Sequence, residues 1–184
     1  RYNVRTLDPD SLAGKILRID PLTGEGHPDN PFFDGDATSN RSKVYSHGLR
    51  NPFRFEIDPL TGEPIIGDVG WNAWEEINYG SGNFGWPCYE GGDTSLVQQG
   101  SYAGFAECQA LYAEGTAKAA IYGYAHAGGN TAIQVGDVYQ GQVYPEQYHG
   151  DLFIVDFNSE VMSSVTLSET REVLSVEPFA SNLG

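Results

Sequence analysis

The sequence predicts an all-β fold, a β-propeller of which 184 residues form a partial set of about three to four blades. Three observations predict this fold. Short segments alternate apolar and polar residues between turns, and the chain carries 23 glycines and 10 prolines. The string Ile-Asp-Pro-Leu-Thr-Gly-Glu occurs at residues 19–25 and again, 38 positions later, at residues 57–63. A blade takes roughly 40–50 residues, and the long loops of this chain use up part of its length, so the chain is expected to form only part of a propeller.

The repeated string is predicted to join two strands of a blade in both places. Residues 15–20 and 53–58 alternate apolar and polar side chains, as half-buried strands do. Each is followed by Pro-Leu-Thr-Gly-Glu, in which Asp-Pro opens a turn and Gly supplies a positive φ. A chance recurrence of hairpin chemistry is the alternative. The spacing favours a blade repeat, because it is close to the length of a four-stranded sheet.

The remainder of the chain also predicts strands and one helix. Residues 106–120 are expected to contain a short helix, which Gly115 limits. The long loops at 26–42 and 88–120 leave room for about three complete sheets. We therefore expect a single partial propeller domain over residues 1–184, with these further strands: 64–69, 75–79, 121–125, 132–139, 152–157, 161–167 and 173–176.

The charge excludes several classes of partner. The formal net charge is −15 and the sequence pI is about 4.4, so the surface repels phosphate backbones and anionic membrane faces. Nucleic-acid binding is therefore not expected, and no apolar stretch is long enough for a transmembrane segment. Carboxylates suit divalent cations, although most of those in this chain are expected to form a solvated acidic surface.

Cys88 and Cys108 bracket a polar, glycine-rich loop. This arrangement favours a disulfide, which would stabilise the fold by about 3 kcal/mol and indicates an oxidising compartment. Two unrelated thiols are the alternative. A zinc site is not expected, because the four histidines are dispersed without ligand spacing; they are His27, His47, His126 and His149.

Arg50 lies where a strand is about to begin, after Gly48 and before Asn51 and Pro52. Propeller strands often start at the central channel, where a guanidinium can bind a carboxylate-bearing ligand through two parallel hydrogen bonds. Alternatively, Arg50 donates to backbone carbonyls in a turn. The residues alone leave both interpretations open.

A set of motifs in one order along the chain resembles the glucose/sorbosone dehydrogenase family. Any one of them alone is weak, but together they cover nearly the whole chain, and Phe84 departs from the family pattern by replacing a tyrosine. The motifs are Gly-Lys-Ile-Leu-Arg-Ile at 14–19, Gly-Leu-Arg-Asn-Pro at 48–52, Asp-Val-Gly-Trp-Asn at 68–72, Glu-Glu-Ile-Asn at 75–78, Gly-Asn-Phe-Gly-Trp-Pro at 82–87 and Val-Tyr-Gln-Gly at 138–141.

The resemblance implies a six-bladed propeller that oxidises aldose sugars by hydride transfer to calcium-bound pyrroloquinoline quinone. In the family an Arg-Asn pair contacts the quinone, and Arg50 and Asn51 match it. Thr131 aligns with a polar residue near the cofactor. The family's catalytic histidine lies in an earlier blade, and none of the four histidines here occupies its place. The segment by itself is therefore not expected to turn over substrate.

The resemblance also implies a calcium site. In the family, two adjacent backbone carbonyls hold the ion, and Gly70 and Trp71 match those positions. A glutamate is a further ligand in some members, and Glu76 matches it. Oxygen ligands of this kind suit a hard cation.

One strand departs from the sugar-oxidising members. They carry a lysine after the Val-Tyr-x-Gly motif, where this chain has Asn158 preceded by Asp156. A carboxylate beside a multiply carboxylated cofactor is unfavourable. The chain is also similar to hedgehog-interacting-protein-like propellers, which implies the alternative of a non-catalytic secreted module for protein or carbohydrate binding or adhesion.

The two cysteines and the resemblance together predict a secreted protein, periplasmic or extracellular. Its expected partner is a sugar substrate or an extracellular ligand. Open strand edges in a partial propeller also predict self-association.

Overall fold

The computed structural model describes residues 3–91, 95–126 and 129–183. Within these residues the chain forms three sheets that follow one another as propeller blades, so the predicted fold class is confirmed. The strands are β1 (Ile16–Leu17), β2 (Val44–His47), β3 (Pro52–Ile57), β4 (Pro64–Asp68), β5 (Trp74–Tyr79), β6 (Gly82–Asn83), β7 (Tyr122–Ala125), β8 (Ile133–Val138), β9 (Leu152–Asp156), β10 (Val161–Leu167) and β11 (Val173–Ser181).

The second and third blades are four-stranded and antiparallel, in the orders β3-β4-β5-β7 and β8-β9-β10-β11. The first blade has the order β1-β2-β6, and β6 pairs with β2 in parallel, Ser46 opposite Gly82. Because β6 follows the third strand of the second blade, this pairing ties the first two blades together. The first strands of the second and third blades, β3 and β8, lie side by side.

The repeated string forms the same turn in the first and second blades. A carboxylate oxygen of Asp20 accepts from the N–H two residues later at 2.7 Å, and that of Asp58 does so at 3.0 Å. Gly24 and Gly62 have φ of 72° and 76°, a left-handed conformation that favours glycine. The repeat therefore marks one turn position in successive blades, as the blade-repeat interpretation predicts.

Apolar side chains from facing sheets form the cores between blades. Between the second and third blades the buried cluster comprises Ile65, Ile77, Ile133, Val135, Val138, Leu152, Ile154 and Val165. A smaller cluster joins the first and second blades and contains Ile16, Leu49, Ile66 and Phe84. Burial of these faces is the main stabilising contribution, since a blade cannot bury both of its faces alone.

Two short helices lie outside the sheets. α1 (Asn40–Lys43) begins after Ser39, whose side chain accepts from the Ser42 N–H. α2 (Ala106–Glu114) ends at Gly115, which has φ of 62°, so the predicted short helix is confirmed. β2 and β6 were not predicted: β2 follows a polar segment, and β6 has two residues and depends on a partner far along the chain.

The Cys88 and Cys108 sulfur atoms are bonded, as predicted, and both residues are fully buried. They pack with Leu111 of α2, so the disulfide fixes the helix against the start of the 88–108 loop. Within the described residues, no helix combines the length and apolar character needed to cross a membrane.

Candidate functional site

Arg50 and Asn51 occupy the loop between the first and second blades, immediately before β3. Asp68, the last residue of β4, accepts hydrogen bonds from the backbone N–H groups of Arg50 at 2.9 Å and Asn51 at 2.6 Å. The guanidinium Nη1 of Arg50 donates to the Val69 carbonyl at 2.8 Å. Arg50 thus makes the backbone contact that one interpretation predicted, and the buried Asp68 carboxylate fixes its main chain.

Beside Arg50 lies a cavity of about 470 Å³, which we call the Arg50 cavity. Its walls combine two guanidinium groups, two side-chain amides and three large aromatic rings. This combination suits a planar anionic ligand, because one of the mutually inclined rings can stack on its face and guanidinium groups bind its carboxylates. The lining residues are Asn3, Arg5, Thr6, Ala13, Gly14, Arg50, Asn51, Trp71, Trp86 and Tyr102.

The three rings contact one another. The ring centroids of Trp71 and Trp86 are 6.0 Å apart, and Tyr102 lies 5.7 Å from Trp71 and 5.8 Å from Trp86. The Arg50 guanidinium carbon is 5.8 Å from the Trp86 ring centroid, within range of a cation–π contact. Trp86 is nearly buried whereas Trp71 is 42% exposed, so Trp71 is the more accessible wall.

Gly70 and Trp71 begin the loop that connects β4 to β5. A Cβ atom on Gly70 would lie 1.5 Å from the Trp74 carbonyl oxygen, so only glycine fits this tight turn. On the other side of the loop, the buried Glu90 carboxylate accepts the backbone N–H of Trp71 at 2.7 Å. Burial opposes the ionised form of Glu90. Hydrogen bonds from three backbone N–H groups of the loop and from the Gln99 side chain nevertheless lower the pKa of Glu90.

Glu76 lies on β5 directly opposite Asp68 on β4. Its carboxylate accepts from the side-chain amide of Asn78 at 3.0 Å and from the Gly91 N–H. Burial raises the pKa of both Asp68 and Glu76, and neighbouring carboxylates raise them further. A divalent cation at this place would relieve that repulsion.

Thr131 lies in a different network, two residues before β8 begins. Its hydroxyl donates to Glu75 Oε1 at 3.2 Å, and His126 Nε2 lies 2.8 Å from the same oxygen. Glu75 is fully buried, and its second oxygen accepts from the Ile133 N–H at 2.9 Å. This arrangement ties the third blade to β5. The structure therefore does not bring Thr131 into the lining of the Arg50 cavity, although Ala132 and Asn51 line a neighbouring cavity of about 270 Å³.

None of the four histidines lines the Arg50 cavity. His47 is buried against the Phe32 ring, and burial lowers its pKa to about 4, with the Lys15 charge as a second cause. His126 contacts Glu75, as described above. His27 lies 3.6 Å from an exposed Asp29 oxygen, and His149 lies near the Tyr144 carbonyl.

The residues of this site fit the two groups that the resemblance implies. The Arg50 cavity has cationic and aromatic walls, as a planar, carboxylated quinone requires. The Gly70 and Trp71 carbonyls and the Glu76 carboxylate offer oxygen donors, the type that a hard cation prefers. Among the described residues no three acidic, His or Cys side chains form a metal cluster.

Several further residues of the site were not predicted, among them Trp86, Glu90, Arg5 and Tyr102. Trp86 and Glu90 lie in motifs that carry the resemblance or follow it closely, so a signal existed for them. Arg5 and Tyr102 lie far from those motifs, one near the start of the chain and one within the disulfide loop, and they reach the cavity only through folding.

Comparison with known proteins identifies a matching family over almost the whole chain and curated relatives over part of it. The family model described as Glucose / Sorbosone dehydrogenase matches residues 3–184. Aldose sugar dehydrogenase YliI of Escherichia coli (strain K12) is 33% identical over 82 residues, which are 44% of this chain and 21% of that protein. The HIPL2 protein of Arabidopsis thaliana is 34% identical over 98 residues, covering 44% of this chain and 14% of that protein.

Solved structures with the same fold are also similar. The PQQ-bound aldose sugar dehydrogenase of Streptomyces coelicolor superposes with a TM-score of 0.63 at 23% identity, covering 96% of this chain and 42% of that one. The apo soluble aldose sugar dehydrogenase of Escherichia coli superposes with a TM-score of 0.68 at 22% identity, covering 98% of this chain and 48% of that one. The chain therefore spans less than half the length of these proteins.

Proposed function

Because the chain belongs to the glucose/sorbosone dehydrogenase family, we propose that it supplies the cofactor-binding blades of a sugar-oxidising propeller. The proposed reaction is oxidation of an aldose by hydride transfer to pyrroloquinoline quinone, with Ca²⁺ beside the quinone. The solved PQQ-bound relative supports the choice of cofactor. The cavity that combines Arg5 and Arg50 with three aromatic rings is the observation that carries the proposal.

In this proposal the walls of the Arg50 cavity bind and orient the quinone. Arg50 binds a carboxylate of the cofactor while Asp68 fixes the Arg50 and Asn51 main chain, so the cation is positioned before the ligand arrives. The planes of Trp71 and Trp86 are inclined to each other by 80°, so one ring would stack on the ring system while the other would cover its edge, and together they would exclude water. When bound, the quinone supplies the hydride acceptor.

The carbonyl oxygens of Gly70 and Trp71 and the carboxylate of Glu76 are the proposed calcium ligands. Glu76 already accepts two hydrogen bonds, but a carboxylate has about four acceptor positions and can still bind an ion. The proposed contact of Thr131 with the cofactor rests on the resemblance alone. Its hydroxyl donates to Glu75.

A specific observation favours the second candidate, a propeller that binds ligands without redox chemistry. Asp156, at the end of β9, accepts the Tyr124 hydroxyl at 2.6 Å and two backbone N–H groups of the following turn at 3.0 Å each. Asn158 is exposed. This strand end therefore presents a carboxylate and an amide where sugar-oxidising members carry a lysine.

We place the protein outside the cytoplasm, in the periplasm or the extracellular medium. The buried Cys88–Cys108 disulfide supports an oxidising compartment. The proposed small-molecule partner is an aldose, and self-association through open strand edges stays a prediction.

The test is a titration of the purified protein with pyrroloquinoline quinone, monitored by quenching of tryptophan fluorescence. Ca²⁺ is present at about 1 mM, on the order of ten times the dissociation constant of a weak extracellular calcium site. Saturable quenching at micromolar quinone is expected, because Trp71 and Trp86 line the cavity. Aldose-dependent dye reduction by a complete propeller that contains these blades then separates the two candidates, because this segment alone is not expected to turn over substrate. No quenching at micromolar quinone contradicts the sugar-oxidising proposal, and quenching without dye reduction favours a binding module.

A further inference from the structure

We infer that Glu90 is a positioning residue that orients the Gly70 and Trp71 carbonyl oxygens for a divalent cation. Nothing in the motif comparison assigns a role to this residue. The inference rests on the proposed function, because it concerns the proposed calcium loop, but it makes a separate claim about how that loop acquires its shape.

One carboxylate oxygen organises the whole loop. Glu90 Oε1 accepts three consecutive backbone N–H groups, from Trp71 at 2.7 Å, Asn72 at 2.9 Å and Ala73 at 3.1 Å. These three peptides therefore present their N–H groups to the same side. Three hydrogen bonds to a single oxygen fix this side of the loop.

The orientation of the carbonyls follows from peptide geometry. In a trans peptide the N–H of one residue and the C=O of the preceding residue point in opposite directions. The N–H groups of Trp71 and Asn72 point to Glu90. The Gly70 and Trp71 carbonyls consequently point away from Glu90, and the two oxygens are presented on the opposite side of the loop.

Glu90 itself is held in place from several directions. It is only 3% exposed, and its second oxygen accepts from the Gln99 side-chain amide at 2.6 Å. Its own N–H donates to the Val97 carbonyl at 2.9 Å. The disulfided Cys88 lies two residues before it. Because both oxygens are occupied on the N–H side, Glu90 shapes the carbonyl pair and does not ligate the ion itself.

The test measures binding of terbium, a luminescent substitute for Ca²⁺ that nearby tryptophans sensitise, to the purified protein and to four variants. Glu90→Gln keeps an oxygen at the position of Oε1 but loses the charge, whereas Glu90→Asp keeps the charge but cannot reach the loop. Glu90→Ala loses both, and Glu25→Gln removes an exposed charge elsewhere. Folding is checked by near-ultraviolet circular dichroism.

Positioning predicts that Glu90→Gln and Glu25→Gln bind terbium within about threefold of wild type. Glu90→Asp and Glu90→Ala are expected to bind roughly 10- to 100-fold more weakly, as loss of an outer-shell partner does. If the last two variants do not fold, Gln99→Ala replaces them. It removes a hydrogen bond to the Glu90 carboxylate and is expected to weaken terbium binding about tenfold, whereas binding within about threefold of wild type would contradict the positioning role.

The outcomes separate this inference from the proposed function. If wild type binds terbium, and Ca²⁺ displaces it, but Glu90→Ala binds equally well, the positioning role is wrong while the calcium site stands. If Glu90→Asp binds like wild type and Glu90→Gln does not, charge rather than position matters, and the inference is again wrong. If wild type binds no terbium, the proposed calcium site fails, and the positioning role fails with it.

Discussion

Arg171 donates two hydrogen bonds of 2.6 Å, from Nε and Nη2, to the two carboxylate oxygens of Asp58, 113 residues earlier in the chain. Asp58 is fully buried and belongs to the turn of the second blade, whereas Arg171 belongs to the turn between β10 and β11 of the third blade. This ion pair therefore joins two blades on their shared face.

Replacing Asp58 by Asn should lower the free energy of unfolding by about 3 kcal/mol, because it leaves the Arg171 charge buried without its counter-charge. Asp20→Asn is the matched control, since Asp20 occupies the same position of the repeated string but is exposed. It should leave stability close to that of wild type. Urea unfolding of the two variants measures both effects. Equal stability of the two variants would contradict an energetic role for the ion pair.

Stability should fall as pH is lowered from 6.5 towards 4, in part through His47. Burial lowers the pKa of His47 from 6.5 to about 4, so in this range the unfolded chain binds a proton that the folded protein does not. The contribution of neutral His47 to the free energy of unfolding is therefore lost at up to about 1.4 kcal/mol per pH unit as the pH falls.

Urea unfolding at several pH values, compared between wild type and His47→Gln, isolates this contribution. The variant should show a shallower loss of stability over the pH range, whereas His27→Gln, which alters an exposed histidine, should retain the wild-type slope. Identical slopes in wild type and His47→Gln would show that the charge on His47 does not matter.

Arg50→Lys should weaken quinone binding roughly 10- to 100-fold, because an ammonium cannot reproduce the two parallel hydrogen bonds of a guanidinium to a carboxylate. Arg54→Lys is the control, since Arg54 is exposed on β3, the strand that follows Arg50, and does not line the Arg50 cavity. Fluorescence titration with the quinone measures both affinities. A similar loss in the two variants would indicate a nonspecific charge effect.

Removing the disulfide, by replacing Cys88 and Cys108 with serine, should lower the free energy of unfolding by about 3 kcal/mol. It should also weaken quinone binding, because the loop between the two cysteines contributes Tyr102 to the cavity. Thermal melting with and without a thiol reductant provides the measurement. The double variant should not respond to the reductant, and a wild type that does not respond either would argue against a stabilising disulfide.

Local chemistry allowed much of the fold to be predicted. The Asp-Pro…Gly turns and the end of α2 at Gly115 depend on neighbouring residues alone, so the sequence contains their cause. β6 was missed because two residues carry no periodicity and their partner, β2, lies far away in sequence.

The site divides in the same way. The family motifs contain three of the predicted site residues, Arg50, Asn51 and Gly70, so the resemblance was enough to predict them. Glu90 reaches Trp71 across 19 positions, and Asp58 meets Arg171 across 113, so neither contact can be read from a local pattern. Such pairings follow from how blades pack, which the sequence alone does not display.

The most direct test of the account is a crystal structure of the protein with pyrroloquinoline quinone and Ca²⁺, with the ion located by its anomalous scattering. The account predicts an ion within about 2.3–2.6 Å of the Gly70 and Trp71 carbonyl oxygens. It also predicts the quinone in the Arg50 cavity, with a carboxylate on the Arg50 guanidinium. An ion bound elsewhere, or a cavity that stays empty at saturating quinone, would contradict it.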